Sequence, residues 1–205
     1  MPGAVINVIA VDDDSFTRDL LHRVLSGAGM QVESYGSAAE LLEADSLGSA
    51  TVLLLDVKMP GLSGLELQDL LRRRGSHVPI VFISGTADLG VAVTAMRNGA
   101  ADFIEKPFEG AALIGRVRRA VAGHTAQAPL AAGSLVLSRL ETLTPREREV
   151  FDLLVTGISS KLIARELGGS FRTIEIHRAQ VMRKMSARHL TDLVRMSIES
   201  MAPHG

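Results

Sequence analysis

The chain has 205 residues, 46% of them hydrophobic and 22% charged, and a formal net charge of -1. This balance excludes a disordered or fibrous polymer, and the length is comfortable for two domains that each bury a core. The absence of cysteine excludes disulfide frameworks, thiolate metal sites and cysteine nucleophiles, and is compatible with a reducing cytosol.

The opening stretch, Met-Pro-Gly-Ala-Val-Ile-Asn-Val-Ile-Ala-Val-Asp, turns acidic too soon for a signal peptide, and no apolar run of about 18 residues follows it. A soluble cytoplasmic protein without a membrane partner is therefore expected. Near-continuous aliphatic runs at 5–11, 52–55 and 80–83 predict strands of a parallel sheet covered on both faces, with shorter strands at 31–35 and 102–105. Helical patterns fall between and after them at 16–28, 38–44, 65–74, 89–98 and 109–122. Five strands alternating with five helices predict a doubly wound five-stranded parallel α/β domain over residues 1–122. Ligands of such sheets bind beyond the carboxyl ends of the strands.

The small, polar, proline-containing stretch 123–133, GHTAQAPLAAG, starts a linker placed at 123–138. After it the strand pattern vanishes, and four short helices predict a small all-α domain over 139–205. Its first helix opens with Thr144, Pro145 and Glu147, a capping box with proline at the first helical position. Charge divides at the same place: 11 Lys+Arg against 15 Asp+Glu up to Thr125, then 11 against 8. An acidic front and a basic rear suit a regulatory domain joined to a nucleic-acid-binding one.

Polar residues close the apolar runs. Asp12-Asp13 follow the first, Asp56 the third and Ser84 the fourth, while Lys106 follows the fifth just before Pro107. One strand-end aspartate usually only forms a turn, but this set converges on one rim. Carboxylates so placed repel one another, and a hard cation such as Mg²⁺ relieves that repulsion while keeping positions open for phosphate oxygens. The set resembles the receiver domain of two-component response regulators, on Asp12-Asp13, Asp56 in LLLDVKMPGLSG, Ser84 in VFISG and Lys106-Pro107 in DFIEKPF.

The resemblance implies a flavodoxin-like fold with Asp56 as phosphoacceptor. Asp13, Asp56 and the Lys58 backbone carbonyl would ligate Mg²⁺, with Asp12 acting through water. Ser84 and Lys106 would bind the phosphoryl group, and Phe103 would turn inward as the switch. Asp14 is expected to cap the first helix, and Thr86 to lie in a loop near the site.

The second domain resembles the LuxR-type helix-turn-helix of the FixJ/NarL response regulators. The likeness is carried by Leu143 to Glu149, Gly157, Lys161, Ile163-Ala164, Leu167, Arg172-Thr173-Ile174 and His177-Arg178, with Ser160 where the family usually has Asn. At about 100° per residue, Ile174, His177, Val181 and Met185 share the buried stripe of the recognition helix, and Arg172, Ile176, Ala179 and Arg183 oppose it. Arg172, Glu175, Ile176, Ala179 and Gln180 are candidate base readers, and Lys161, Thr173, Arg178, Arg183 and Lys184 candidate phosphate contacts. Any one surface Arg or Lys can equally be mere solvated surface.

The expected function is a transcription factor, not an enzyme beyond assisting its own phosphorylation and dephosphorylation. A sensor histidine kinase, double-stranded DNA, RNA polymerase and, on phosphorylation, a second copy of the chain are its expected partners. One rival is a regulator indifferent to phosphate. Another is an aspartyl-phosphate hydrolase, but its D-x-D motif is only approached at Asp12 to Phe16, and no acidic pair follows Lys106.

Overall fold

A computed structural model of the chain describes residues 5–44, 46–85, 89–125 and 130–201. Thr86 lies outside them. The chain divides into two compact units, one of residues 1–87 with 98–127, the other of 88–97 with 128–205.

In the first unit β1 (Asn7–Val11), β2 (Gln31–Tyr35), β3 (Val52–Asp56), β4 (Ile80–Ser84) and β5 (Asp102–Glu105) form one sheet in the order β2-β1-β3-β4-β5. Every pairing is parallel, so the carboxyl ends of the strands share one rim. The strand order reverses between β1 and β3, which is where the acidic strand ends lie. Helices α1 (Ser15–Ser26), α2 (Ala38–Ala44), α3 (Gly64–Arg73) and α5 (Gly110–Thr125) belong to this unit, and a short 3-10 turn (Ser46–Ser49) precedes β3. Successive strand residues point to opposite faces. Val8, Ala10, Val52, Leu54, Val81, Ile83 and Ile104 accordingly share one core with Leu21 and Leu25 of α1 and Leu113 and Val117 of α5. The alternate residues Ile9, Leu53, Leu55 and Phe82 are also fully buried, as are Leu41, Leu67 and Leu71 of α2 and α3. Burial on both faces explains why β3 and β4 are continuous aliphatic runs.

One buried element of this unit is ionic. Asp102, at the start of β5, holds Arg116 of α5 at 2.6 Å, and both side chains are almost wholly buried. The Asp102 carboxylate also accepts the Phe103 N–H at 2.9 Å, and Arg116 donates to the Phe103 carbonyl at 3.3 Å. The pair thus grips both polar atoms of one peptide residue three positions before Lys106.

The second unit comprises α4 (Leu89–Arg97), α6 (Leu130–Glu141), α7 (Pro145–Leu154), α8 (Ser160–Glu166), α9 (Phe171–Lys184) and α10 (Leu190–Met201). The expected capping box is present: Thr144 accepts from the Glu147 N–H, and Glu147 accepts from the Thr144 N–H. Gly168, at φ +64, makes the left-handed turn between α8 and α9. By contacts, α4 groups with the second unit. Within the stretch read as linker, α5 runs to Thr125 and α6 starts at Leu130.

Removing one partner of a buried ion pair strands the other charge. Arg116→Met is expected to lower the unfolding free energy by about 3 kcal/mol in urea titration. Adding Asp102→Leu should recover most of that loss, and a double variant as unstable as the single one would contradict the assignment.

Candidate phosphoacceptor pocket and nucleic-acid interface

Three of the five strand ends bring charge to one place. Asp12 follows β1, Asp56 ends β3 and Lys106 follows β5, and the Lys106 Nζ lies 2.8 Å from a carboxylate oxygen of Asp12 and 2.8 Å from one of Asp56. Both carboxylates are buried, with Asp12 only 1% and Asp56 7% exposed. The second oxygen of Asp56 accepts the Lys58 N–H at 2.6 Å, and the second oxygen of Asp12 accepts the Asp14 N–H at 3.0 Å. Two unshielded carboxylates at this depth repel strongly, so a bridging ammonium is the simplest remedy. Burial disfavours charge on Lys106, but its bonds to Asp12 and Asp56 outweigh that and raise its pKa. Burial likewise pushes the Asp12 carboxyl above the usual carboxylate range, against the opposing pull of Lys106.

Around this bridge, Asp13 and the Lys58 side chain are exposed, while Ser84 at the end of β4 is buried. Phe103 is also buried, its ring 6.3 Å from that of Phe82. Asp14 caps α1, accepting from the N–H groups of Phe16 and Thr17 and from the Thr17 hydroxyl. Among the described residues no three acidic, histidine or cysteine side chains are gathered as a finished metal cage. The donor chemistry suits a hard divalent cation all the same: carboxylate oxygens dominate, and Lys106 marks the spot where positive charge is wanted.

In the second unit, the burial of α9 follows its helical period. Ile174, Val181 and Met185 are buried and His177 is half-buried, whereas Arg172, Ile176, Ala179 and Arg183 are exposed on the opposite side. Thr173 and, on α8, Lys161 are exposed. Glu175 and Arg178 pair at 3.5 Å, and Arg183 donates to the Gln180 side-chain amide oxygen Oε1 at 2.6 and 3.1 Å. Lys184 has partners within the domain. Its Nζ binds Glu147 of α7 at 2.5 Å and the Thr142 carbonyl at 2.9 Å. In the sequence it is only a cation on a helix, because its carboxylate partner stands on another element.

Residues 8–118 match the response regulator receiver domain, and residues 141–197 match the luxR family of bacterial regulatory proteins. The chain belongs to the response regulators. It is 43% identical over 192 residues to the transcriptional regulatory protein FixJ of Azorhizobium caulinodans, covering 93% of this chain and 91% of that one. To nodulation protein W of Bradyrhizobium diazoefficiens it is 41% identical over 194 residues, covering 93% and 84%. Full-length FixJ from B. japonicum, a solved structure, aligns with a TM-score of 0.55 at 38% identity, covering 95% and 96%. The protein is therefore a FixJ-like response regulator transcription factor with a LuxR-type DNA-binding domain, not a classical enzyme.

Two residues of this response regulator carry the pocket without declaring themselves in the sequence. Gly64 opens α3, and a Cβ built there would stand 2.1 Å from the Asp56 carbonyl oxygen. Only glycine fits, although the sequence offers no more than a turn-like PGLSG. Arg18 sits behind Asp12 and Asp13 and donates to the carbonyls of both; from sequence it is one more cation on a helix.

The Lys184 bond holds the Glu147 carboxyl below its ordinary range, with help from the Thr144 N–H. A lowered native pKa adds stability above the unfolded value of about 4.3, and that stability is lost as pH falls through the native one. Lys184→Met should therefore destabilise the chain at pH 7 by about 1–3 kcal/mol, with the gap from wild type closing as pH falls through the native titration of Glu147. Thermal unfolding across pH measures this, and a pH-independent gap would contradict it.

Proposed function

We propose that Asp56 is the phosphoacceptor through which a sensor histidine kinase controls the DNA-binding domain. The observation that carries this reading is the Lys106 ammonium held 2.8 Å from both Asp12 and Asp56 at the ends of parallel strands. A buried carboxylate beside a fixed cation is poised to attack phosphorus, because phosphoryl transfer depends mainly on positioning and charge neutralisation. One Asp56 oxygen forms the new P–O bond while the P–N bond of the donor phosphohistidine breaks, and the imidazole leaves with a proton. Lys106 then pairs with a phosphoryl oxygen in place of the carboxylate. The Ser84 hydroxyl donates to another, and its movement is coupled to Phe103, which packs on Phe82.

Mg²⁺ would be held by Asp13, Asp56 and the Lys58 carbonyl, with Asp12 acting through water, and would supply further charge neutralisation. Asp12, Asp13 and Asp56 present the hard oxygens this ion prefers.

Phosphorylation would favour a homodimer on a paired-half-site operator in the cytoplasm, with RNA polymerase as a further partner. The domains of this reading are a receiver over 1–122, a linker over 123–138 and a DNA-binding domain over 139–205. Arg172, Glu175, Ile176, Ala179 and Gln180 would read bases, with Lys161, Thr173, Arg178 and Arg183 on phosphates. The exposure of Arg172, Ile176, Ala179 and Arg183 along one side of α9 supports that division.

Labelling with radioactive acetyl phosphate in the presence of Mg²⁺ tests the central residue. Asp56→Asn should take up no acid-stable, alkali-labile phosphate while unfolding like the wild type. Uptake at the wild-type level would refute the assignment.

A further inference from the structure

Arg18 is given no part in the chemistry above, yet its guanidinium lies directly behind the acidic turn. Nη1 donates to the Asp12 carbonyl at 2.6 Å and to the Asp13 carbonyl at 3.1 Å. The base of the side chain is fixed as well, because Asp14 caps α1 through Phe16 and Thr17, one turn ahead of Arg18. The Arg18 N–H itself bonds the Asp14 carbonyl at 3.1 Å. On the far side the loop after β2 closes in. A Cβ built on Gly36 would stand 3.7 Å from the Arg18 Nη1 and 3.4 Å from both carboxylate oxygens of Glu40, which itself accepts the Gly36 N–H at 2.8 Å.

We infer that Arg18 is a positioning residue that fixes the Asp12–Asp13 turn and thereby sets the affinity of the acidic pocket for a divalent cation; this rests on the metal reading of Asp13 and Asp56 proposed above. Holding two successive carbonyls fixes the peptide planes on either side of Asp13, and with them the direction of its carboxylate. The Asp13 side chain is exposed, and Asp12 is anchored separately through Lys106 and the Asp14 N–H. Mg²⁺ demands near-octahedral geometry, so a turn free to rock binds it poorly. Partners one shell behind the ligands typically change metal affinity 10- to 100-fold when removed.

The charge of Arg18 works the other way. A cation behind the pocket repels Mg²⁺, so deleting charge alone would tighten binding. Lysine separates the two effects, because it keeps the charge but its ammonium ends one bond short of Nη1, the one nitrogen that meets both carbonyls.

Isothermal titration of the full chain with MgCl₂ decides between them, using wild type, Arg18→Lys, Arg18→Ala and Asp13→Asn, each also melted without Mg²⁺. The expected result is affinity weakened about tenfold in both Arg18 variants, with thermal midpoints close to wild type. Wild-type affinity in both variants would overturn the inference. So would wild-type affinity in Arg18→Lys with tighter binding in Arg18→Ala, the signature of charge alone. If Arg18→Ala does not fold, Arg18→Lys carries the test. Undiminished binding by Asp13→Asn would instead refute the metal reading itself, and this inference with it, without involving Arg18.

Discussion

Two carboxylates buried within reach of one ammonium are the constraint around which the first unit is arranged. Asp12 and Asp56 arrive on strands that are neighbours in the sheet but 44 residues apart in the chain, and Lys106 arrives from the far edge strand. Only an all-parallel sheet brings these three ends to one rim, and only a reversal of strand order opens a crevice there. The aliphatic cores on both faces hold the strands in register, and the register sets the distances. Gly64 shows how tight the margins are, since α3 starts so close to Asp56 that no side chain fits between them.

The same arrangement explains why the pocket suits a charge event. Lys106 is kept charged by its two partners, and Asp12 carries the cost of burial. A phosphoryl group on Asp56 would add negative charge where the neutralising groups are already committed, so their redistribution is the natural response. Ser84 and the Phe103–Phe82 contact lie on the two strands next to β3 along that side of the sheet, and the Asp102–Arg116 pair grips the backbone of Phe103. These contacts tie β4, β5 and α5 together on that side of the sheet.

What the sequence made legible was what short-range pattern encodes. Aliphatic runs ending in Asp56 or Ser84 marked both the strands and the rim, and a capping box marked the start of α7. The outward side of α9 followed from helical period alone. What stayed hidden depends on partners distant in sequence. Arg116 and Asp102 look like surface charges until they are found buried together, and the Lys184–Glu147 pair joins two helices far apart in the chain. Arg18 acts on backbone carbonyls, which carry no residue signature.

The most direct test of the account is sedimentation velocity on the full chain with and without Mg²⁺ and beryllium fluoride, a mimic of the acyl phosphate, on wild type and Asp56→Asn. The account predicts a shift from monomer to dimer in the wild type that Asp56→Asn abolishes. An identical shift in both proteins, or a dimer present without the mimic, would contradict the claim that charge on Asp56 governs assembly.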